Sequence, residues 1–580
     1  MMLRLSWNAL LAGGILLLPS FSYAAPDAGA LHQDRRAQPG PSLEADPDVN
    51  LDIEPSSSSA QPAESPGSVF VQGYTVHGNT LLSQAELEAV LQPFSQRMLS
   101  VAEIHDAAAA LQQRYIDTGL FAAEVVIPPQ MLEDPPVVAL HVYEGRIADN
   151  GVYLVNSGER VKDSVIHRIV VKNLATGTPL KRAPMERTML LIGDLPGVEV
   201  KGALLPGEVA GEALLQLETT DEPAINGDLY IDNFGDYYTG EMRVGGSLYF
   251  NSPTRQGDQL ILDMVTSGEG SQYLYGEYSL PVGGNGLRLG ASLDYLNYEL
   301  GEEYEPFDVM GDAYEAALLA RYPLIRARHH NLRFNTAVSS LRMHDEDNVI
   351  GESDRRVDKL ALGLHGDREF NLFRVAEFSY GLGVDVGRVD ILGDDNYLAF
   401  DQASSDTEGN FARFNYHVAW LQHLGGAWSS FLMINGQVAN GNLDTSQKLY
   451  LGGPYDVAGY PVSEASGDEG TQLHIDIRRD FADVLFHSDT QISLFYSQGW
   501  LTLFNDTWPG WEGGNPQIEN RFSLKTVGLS SHSTWRSRYQ LQLIVGRQLG
   551  DNPGSDPLTG EDTDRSDSDY RAWAQLAYFF

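Results

Sequence analysis

The chain has 580 residues, 42% of them apolar, with no cysteine, 58 glycines, 27 tyrosines, 22 phenylalanines and a formal charge of −40. Clustered Lys and Arg able to neutralise phosphates are missing, so nucleic acid is not an expected partner. The absence of cysteine removes disulfide scaffolds, thiolate zinc sites and cysteine nucleophiles together, while leaving an oxidising compartment open.

At the N-terminus, Arg4 precedes an apolar run from Ala9 to Leu18, and Ser22-Tyr23-Ala24 supplies small residues where a signal peptidase reads. This pattern predicts a Sec-type signal over residues 1–24. The run is shorter than the ~20 apolar residues a spanning helix needs, and no later run is long enough. An exported chain then stays soluble or enters a membrane as a closed barrel, the other fold that satisfies its backbone in lipid. Within residues 25–67, Ala28 to Arg36 is expected to form a short polar helix. Pro39 to Gly67, dominated by Pro, Ser, Asp and Glu, reads as a linker.

From Val69 the texture becomes strand-like. A turn at His77-Gly78-Asn79 leads into a helix that Ser83 caps with Glu86 three residues later. Ile104, Ala108, Leu111 and Tyr115 recur at helical spacing between Val101 and Asp117. Strands at Ala123–Ile127 and Val137–Tyr143 complete a small α+β unit over residues 68–146. Residues 147–222 repeat the order: a strand near Val152, helices near Val161–Asn173 and Leu180–Ile192, then strands at Val198–Leu204 and Ala213–Leu217.

After Pro223 the helical signals stop, and segments of ~10 residues alternate apolar with polar or small side chains. Met242, Val244, Leu248 and Phe250 share one face; Arg243, Gly245, Ser247 and Tyr249 share the other. About 16 such segments fill residues 223–580, an even number as a closed antiparallel barrel prefers. A soluble β-sandwich also alternates, but an all-β region this long with this many aromatics fits a membrane barrel with girdles better. In the last segment Tyr578 and Phe580 end an alternating strand, with closure expected against the first strand near Asp228 to Phe234.

Three strings carry a family resemblance. The first is Gly73-Tyr74-Thr75-Val76-His77-Gly78-Asn79-Thr80-Leu81-Leu82. The second is Leu190-Leu191-Ile192-Gly193-Asp194-Leu195-Pro196-Gly197-Val198. The third joins Leu451-Gly452-Gly453, Val457-Ala458-Gly459-Tyr460 and Gly467-Asp468-Glu469-Gly470. Over nearly the whole mature chain the sequence resembles two-partner secretion transporters of the TpsB type. The resemblance implies a mostly β fold: a 16-stranded transmembrane antiparallel β-barrel preceded by two small α+β POTRA domains, in the outer membrane with the POTRA domains in the periplasm. It implies export of a large adhesin- or haemolysin-like exoprotein with an N-terminal secretion domain, and no cofactor. Further partners so implied are the barrel-assembly machinery and periplasmic chaperones during biogenesis, and outer-membrane lipid and lipopolysaccharide. An extended client can add to a POTRA sheet edge through main-chain hydrogen bonds. Ala123, Glu124, Val125, Val126 and Ile127 are the candidate edge. The string around Val457, Ala458, Gly459 and Tyr460 is similar to a long loop that folds back into the barrel lumen, near residues 443–470.

Here the chain departs from the family pattern. Members usually carry Arg where Ala458 stands and Asp where Ser497 stands, in the strand Phe495-Tyr496-Ser497-Gln498-Gly499. Losing both partners of an ion pair avoids leaving one charge buried alone. The expectation is a loop held more weakly, by neutral hydrogen bonds from Ser497 or Gln498, in a channel that gates more readily. An insertase of other outer-membrane proteins is the alternative within the same fold. A passive porin leaves two periplasmic domains without a role. An outer-membrane hydrolase lacks its signature, since neither a Gly-x-Ser-x-Gly elbow nor a His-Glu-x-x-His helix occurs.

Overall fold

The computed structural model describes residues 26–37, 51–52 and 68–580, apart from 121, 132–133, 157, 175–176, 210, 269, 349–350, 394, 513–517 and 557–558. The expected signal and most of the expected linker lie outside these residues. Within the linker stretch, however, Leu51–Asp52 form a strand (β1).

Helix α1 spans Ala28–Ala37. The first α+β unit holds strands β2 (Ser68–Val71), β3 (Gly73–His77) and β4 (Arg97–Ser100), helices α2 (Gln84–Leu91) and α3 (Val101–Asp117), and strands β5 (Glu124–Val126) and β6 (Val137–Tyr143). Both helices start on capping boxes, Ser83 with Glu86 and Ser100 with Glu103, each satisfying two otherwise orphaned N–H groups. The hydrogen bonds from Ser83, with one from Arg114, hold the partly exposed Glu86 carboxyl down at about 2. Ile104, Ala108, Leu111 and Tyr115 turn one helical face into the core with Leu87, Leu99 and Leu140.

The second unit contains β7 (Arg146–Asn156), α4 (Asp163–Asn173), α5 (Arg182–Gly193), β8 (Val198–Pro206) and β9 (Glu212–Asp221). Its topology repeats the first. Setting aside the β2-β4 pair of the first unit, in both sheets the first strand pairs parallel with the last, β3 with β6 and β7 with β9, and the middle strand pairs antiparallel with the last, β5 with β6 and β8 with β9. The two differ at the middle strand's outer edge. β1 pairs parallel along β8, Leu51 opposite Gly202 and Asp52 opposite Ala203, whereas among the described residues β5 is the edge strand of its sheet.

Sixteen antiparallel strands then close a barrel. Its first half comprises β10 (Ile225–Asp232), β11 (Arg243–Asn251), β12 (Gln259–Thr266), β13 (Ser271–Val282), β14 (Leu287–Glu299), β15 (Met310–Ala327), β16 (His330–Asp347) and β17 (Gly351–Leu372). β18 (Arg374–Leu392) precedes a short helix, α6 (Asp395–Ala403), and β19 (Gly409–Gly425) and β20 (Trp428–Ala439) follow. A long loop with a two-stranded ribbon, β21 (Leu449–Leu451) and β22 (Ala465–Gly467), interrupts the wall. It closes with β23 (Glu469–Phe481), β24 (Ser488–Thr502), β25 (Arg521–Trp535), β26 (Tyr539–Gln548) and β27 (Tyr570–Phe579).

The strands vary more than the ~10 residues expected from spanning a bilayer. β15 to β18 run 18, 18, 22 and 19 residues. At about 3.4 Å per residue they project beyond the apolar band of ~25 Å. Alternation sorts the side chains as the sequence implies: Leu289, Leu293, Val244 and Leu318 are exposed outward, and Arg243, Ser292, Asp294 and Glu315 are buried inward. β27 pairs with β10 from Asp228 opposite Phe579 to Asp232 opposite Gln575, closing the edge. Tyr578 and Phe580 stack near that seam, and Phe580 exchanges both backbone hydrogen bonds with Gly227.

The second α+β unit is fastened beneath the barrel through its Leu-Pro-Gly corner. Asp194 takes a two-pronged contact from Arg326 at 2.7 and 3.0 Å, Ser252 donates to the Pro196 carbonyl at 2.6 Å, and Arg187 donates to the Pro323 carbonyl at 2.9 Å. The corner string is therefore a joint between unit and wall.

Candidate functional site

The lumen is occupied by α1 and the long loop. α1 presents Ala28 and Leu31 to Leu296, Tyr298, Leu341 and Met343, lumen-facing residues that make the upper wall apolar where the helix lies. Its small residues allow close approach: a Cβ on Gly29 would stand 2.6 Å from Thr445 Oγ1 and 2.9 Å from Ser446 N.

Charge fixes its N-terminal end. The Arg355 guanidinium, 4% exposed, reaches Asp27 of the helix, Asp345 of β16 and Asp444 at the loop base, each at 2.8 Å. Asp27 also accepts from Thr445 Oγ1 at 2.8 Å, and Ala28 N–H donates to Asp345 at 2.7 Å. One cation thus joins plug, wall and loop. Lower down, His32 lies 2.8 Å from Asp294, and Arg36 bonds Glu315.

The loop base is held by a buried pair, Lys448 with Asp468 at 3.1 Å, and by Arg413 donating to the Gln447 carbonyl at 2.6 Å. From there the ribbon descends with Leu451 against Gly499, leaving no room for a side chain there. The tip Val457-Ala458-Gly459-Tyr460 is buried in the lumen. Trp573 Nε1 donates to the Ala458 carbonyl at 2.8 Å, Gly459 N–H to Thr526 Oγ1 at 3.1 Å, and Gln548 to the Gly459 carbonyl at 3.1 Å. The backbones nearly touch, since a Cβ on Gly546 would meet the Ala458 carbonyl carbon at 2.6 Å.

This geometry corrects the expected attachment. Ser497 is buried on the lumen face but shares its hydrogen bond with His474 at 2.9 Å. Gln498 stands on the alternate, outward face and accepts from Tyr496 at 2.8 Å. Of the receiving strand, Phe495 meets the tip, packing with Ala458, Val462, Phe234, Ile544 and Trp573. The Ala458 position is apolar, and the backbone of the tip is held by side chains of β25, β26 and β27 rather than by a side chain of β24.

The returning arm carries Glu464, fully buried, which accepts from Thr563 N–H and Oγ1 at 3.1 and 2.6 Å and from Asn552. Burial, then the nearby Asp562, pushes its carboxyl from 4.5 up to about 8. A raised folded value means that stability is fully present below the unfolded value and is lost as pH climbs through the folded one. The clasp between this arm and the loop after β26 is therefore expected to weaken between pH 4.5 and about 8. In thermal melts of the detergent-solubilised protein, Glu464→Gln should gain on wild type as pH rises; parallel pH profiles would contradict the assignment.

In the first unit, Ala123 and Val125 point into the core, while Val126 is exposed. Gln112 of α3 lies 3.4 Å from the Val125 N–H, a long contact at the free edge of β5. A polar cavity of about 670 Å³ remains beside the loop, lined by Asp456, His474, Asp476, Arg478 and His532 among others.

A closed barrel whose lumen holds a helix and a long loop, set above two tandem α+β domains, is the architecture of an outer-membrane protein transporter. The family described as haemolysin secretion/activation protein ShlB/FhaC/HecB matches residues 211–506, and the ShlB-type POTRA domain matches residues 69–145. The chain belongs to that family, whose members serve two-partner secretion, and its barrel lies in the outer membrane with the POTRA domains in the periplasm. It is 24% identical over 555 residues to the heme/hemopexin transporter protein HuxB of Haemophilus influenzae strain 86-028NP, covering 94% of this chain and 95% of that one. It is 21% identical over 412 residues to the outer membrane transporter CdiB of Dickeya dadantii, covering 68% and 69%. In fold it is similar to CdiB from Escherichia coli, with a TM-score of 0.68 at 17% identity over 91% of this chain and 92% of that one.

Proposed function

We propose that the chain captures one large, extended exoprotein at the free β5 edge of the first POTRA domain and conducts it through the lumen after α1 and the loop yield. The client is an adhesin- or haemolysin-like protein with an N-terminal secretion domain. The observation that carries this reading is the asymmetry between the two domains. The edge of β8 already bears an added extended segment, Leu51–Asp52, while among the described residues β5 is the edge strand of its sheet. Strand addition makes little demand on client sequence, as an extended secretory substrate needs. The lumen filling supports passage: the tip of the long loop and α1 are held to the barrel by side-chain bonds and packing, so they can leave without opening the ladder.

The missing cysteines make the test clean. A photo-crosslinker placed on Val126→Cys should trap a single large exoprotein in the periplasm, and one on Thr75→Cys, across the sheet, should not. Many different outer-membrane barrels in the adduct would favour the insertase. Adducts from Thr75→Cys alone would move capture to the β3 edge.

A further inference from the structure

We propose that His32, Asp294 and Glu315 form a divalent transition-metal site that staples the plug helix to the barrel wall. Among the described residues this is the one group of three His, Asp or Glu side chains whose ligand atoms all lie within 4.8 Å of one another. The three come from three elements, α1, β14 and β15, so the ion would join helix to wall rather than stiffen one segment. His32 Nε2 lies 2.8 Å from Asp294 Oδ1 and 3.8 Å from Glu315 Oε2, and their side chains are 2%, 3% and 4% exposed. With metal bonds of about 2.0–2.2 Å two ligands of a tetrahedral ion stand roughly 3.4 Å apart, so an ion fits once the His32–Asp294 pair opens and Glu315 draws in, each by about half an ångström.

The charges allow such an ion. A neutral imidazole and two carboxylates sum to −2, which Arg36 and Lys359 now balance and which a divalent cation would balance in their place. One nitrogen with two oxygens suits zinc, and after it manganese or ferrous iron, better than calcium, which takes six to eight oxygens. Outer contacts already orient the ligands: the Glu315 N–H donates to Asp294 Oδ1 at 3.2 Å, and Ser339 hydrogen-bonds Glu315. Two cations compete. Arg36 sits on Glu315 Oε2; its side chain is 43% exposed and would have to turn into the lumen as metal enters. Lys359 faces Glu315 from β17 and is engaged with Gln447 at 3.3 Å.

The site would make plug release depend on periplasmic or external metal, a control separate from the client and from the Arg355 contacts. The test uses the full-length mature protein in detergent and in planar bilayers. Cobalt(II) should give a visible ligand-field spectrum that zinc displaces. Zinc should lower the open fraction of the channel, and EDTA should reverse it. His32→Ala should lose the spectrum and weaken zinc affinity by more than the roughly 10–100-fold that loss of an outer partner costs. Asp294→Asn, which keeps the side-chain shape, should do likewise with the barrel still heat-modifiable on gels. No spectrum in wild type, an undiminished spectrum in both variants, or channel closure that follows pH and ignores metal would each overturn the proposal; the last would identify an imidazolium bridge in its place.

Discussion

Arg355→Met should convert a mostly closed channel into a mostly open one. The substitution keeps the apolar stem of the side chain and removes the cation shared by Asp27, Asp345 and Asp444, each now 2.8 Å from the guanidinium. Three carboxylates would then face one another in a buried site, and breaking a buried ionic cluster by removing one partner costs about 3–5 kcal/mol. Expelling Asp27 with the helix relieves the repulsion, since Asp345 belongs to the wall and Asp444 to the loop base. At 1.4 kcal/mol per decade the plugged-to-open ratio should fall by roughly 100- to 3,000-fold. Single-channel recordings read this directly. Arg355→Lys, which keeps charge but loses the fork, should lie between the two. An open fraction unchanged in Arg355→Met would mean that the apolar contacts of Ala28 and Leu31 suffice to hold the plug.

Ala458→Arg should dislodge the lumen loop, and Ser497→Asp should restore it. Ala458 is 1% exposed against Phe234, Phe495, Ile544 and Trp573, so a guanidinium there enters an apolar cluster. An unpaired buried charge costs several kcal/mol, more than the two or three neutral hydrogen bonds of the tip contribute at about 0.5–1.5 kcal/mol each. The single variant should lose secretion and gain channel noise. Ser497 lies on the same lumen face, two residues from Phe495, so a carboxylate at that position offers the arginine a partner. If the single variant secretes as wild type does, the tip is not packed as described. If the double variant stays as defective as the single, the charge has no route across the cluster.

Much of the fold was legible because periodicity reports the environment of a strand. Outward Leu289 and Leu293 against inward Ser292 and Asp294 mark a wall between lipid and water, and the capping box at Ser83 marks a helix start. The plug was legible only as a helix. α1 is polar by composition, and nothing within its ten residues says that it lies in a lumen. A signal did exist in the wall: Leu296, Tyr298, Leu341 and Met343 are apolar on strand faces that are otherwise polar, which a partner inside the barrel explains. The loop was legible by its motif, but its attachment was not. Removing a charge pair says that an interaction is gone, without saying that Trp573, Thr526 and Gln548 replace it from three other strands. Leu51–Asp52 were hidden for a related reason, since a two-residue strand within a Pro- and Ser-rich stretch owes its conformation to the edge it joins.

The central claim is that the client passes through a lumen that α1 must vacate. A cysteine pair at Asp27→Cys and Thr445→Cys tests it in a chain that has no other thiol, because the two Asp27 carboxylate oxygens lie 2.8 and 2.9 Å from Thr445 Oγ1, close enough for the two side chains to be bridged. With the pair oxidised, secretion of the exoprotein should stop while barrel assembly is normal, and reductant should restore it. Undiminished secretion through the oxidised, cross-linked protein would show that the client does not need the space the helix fills.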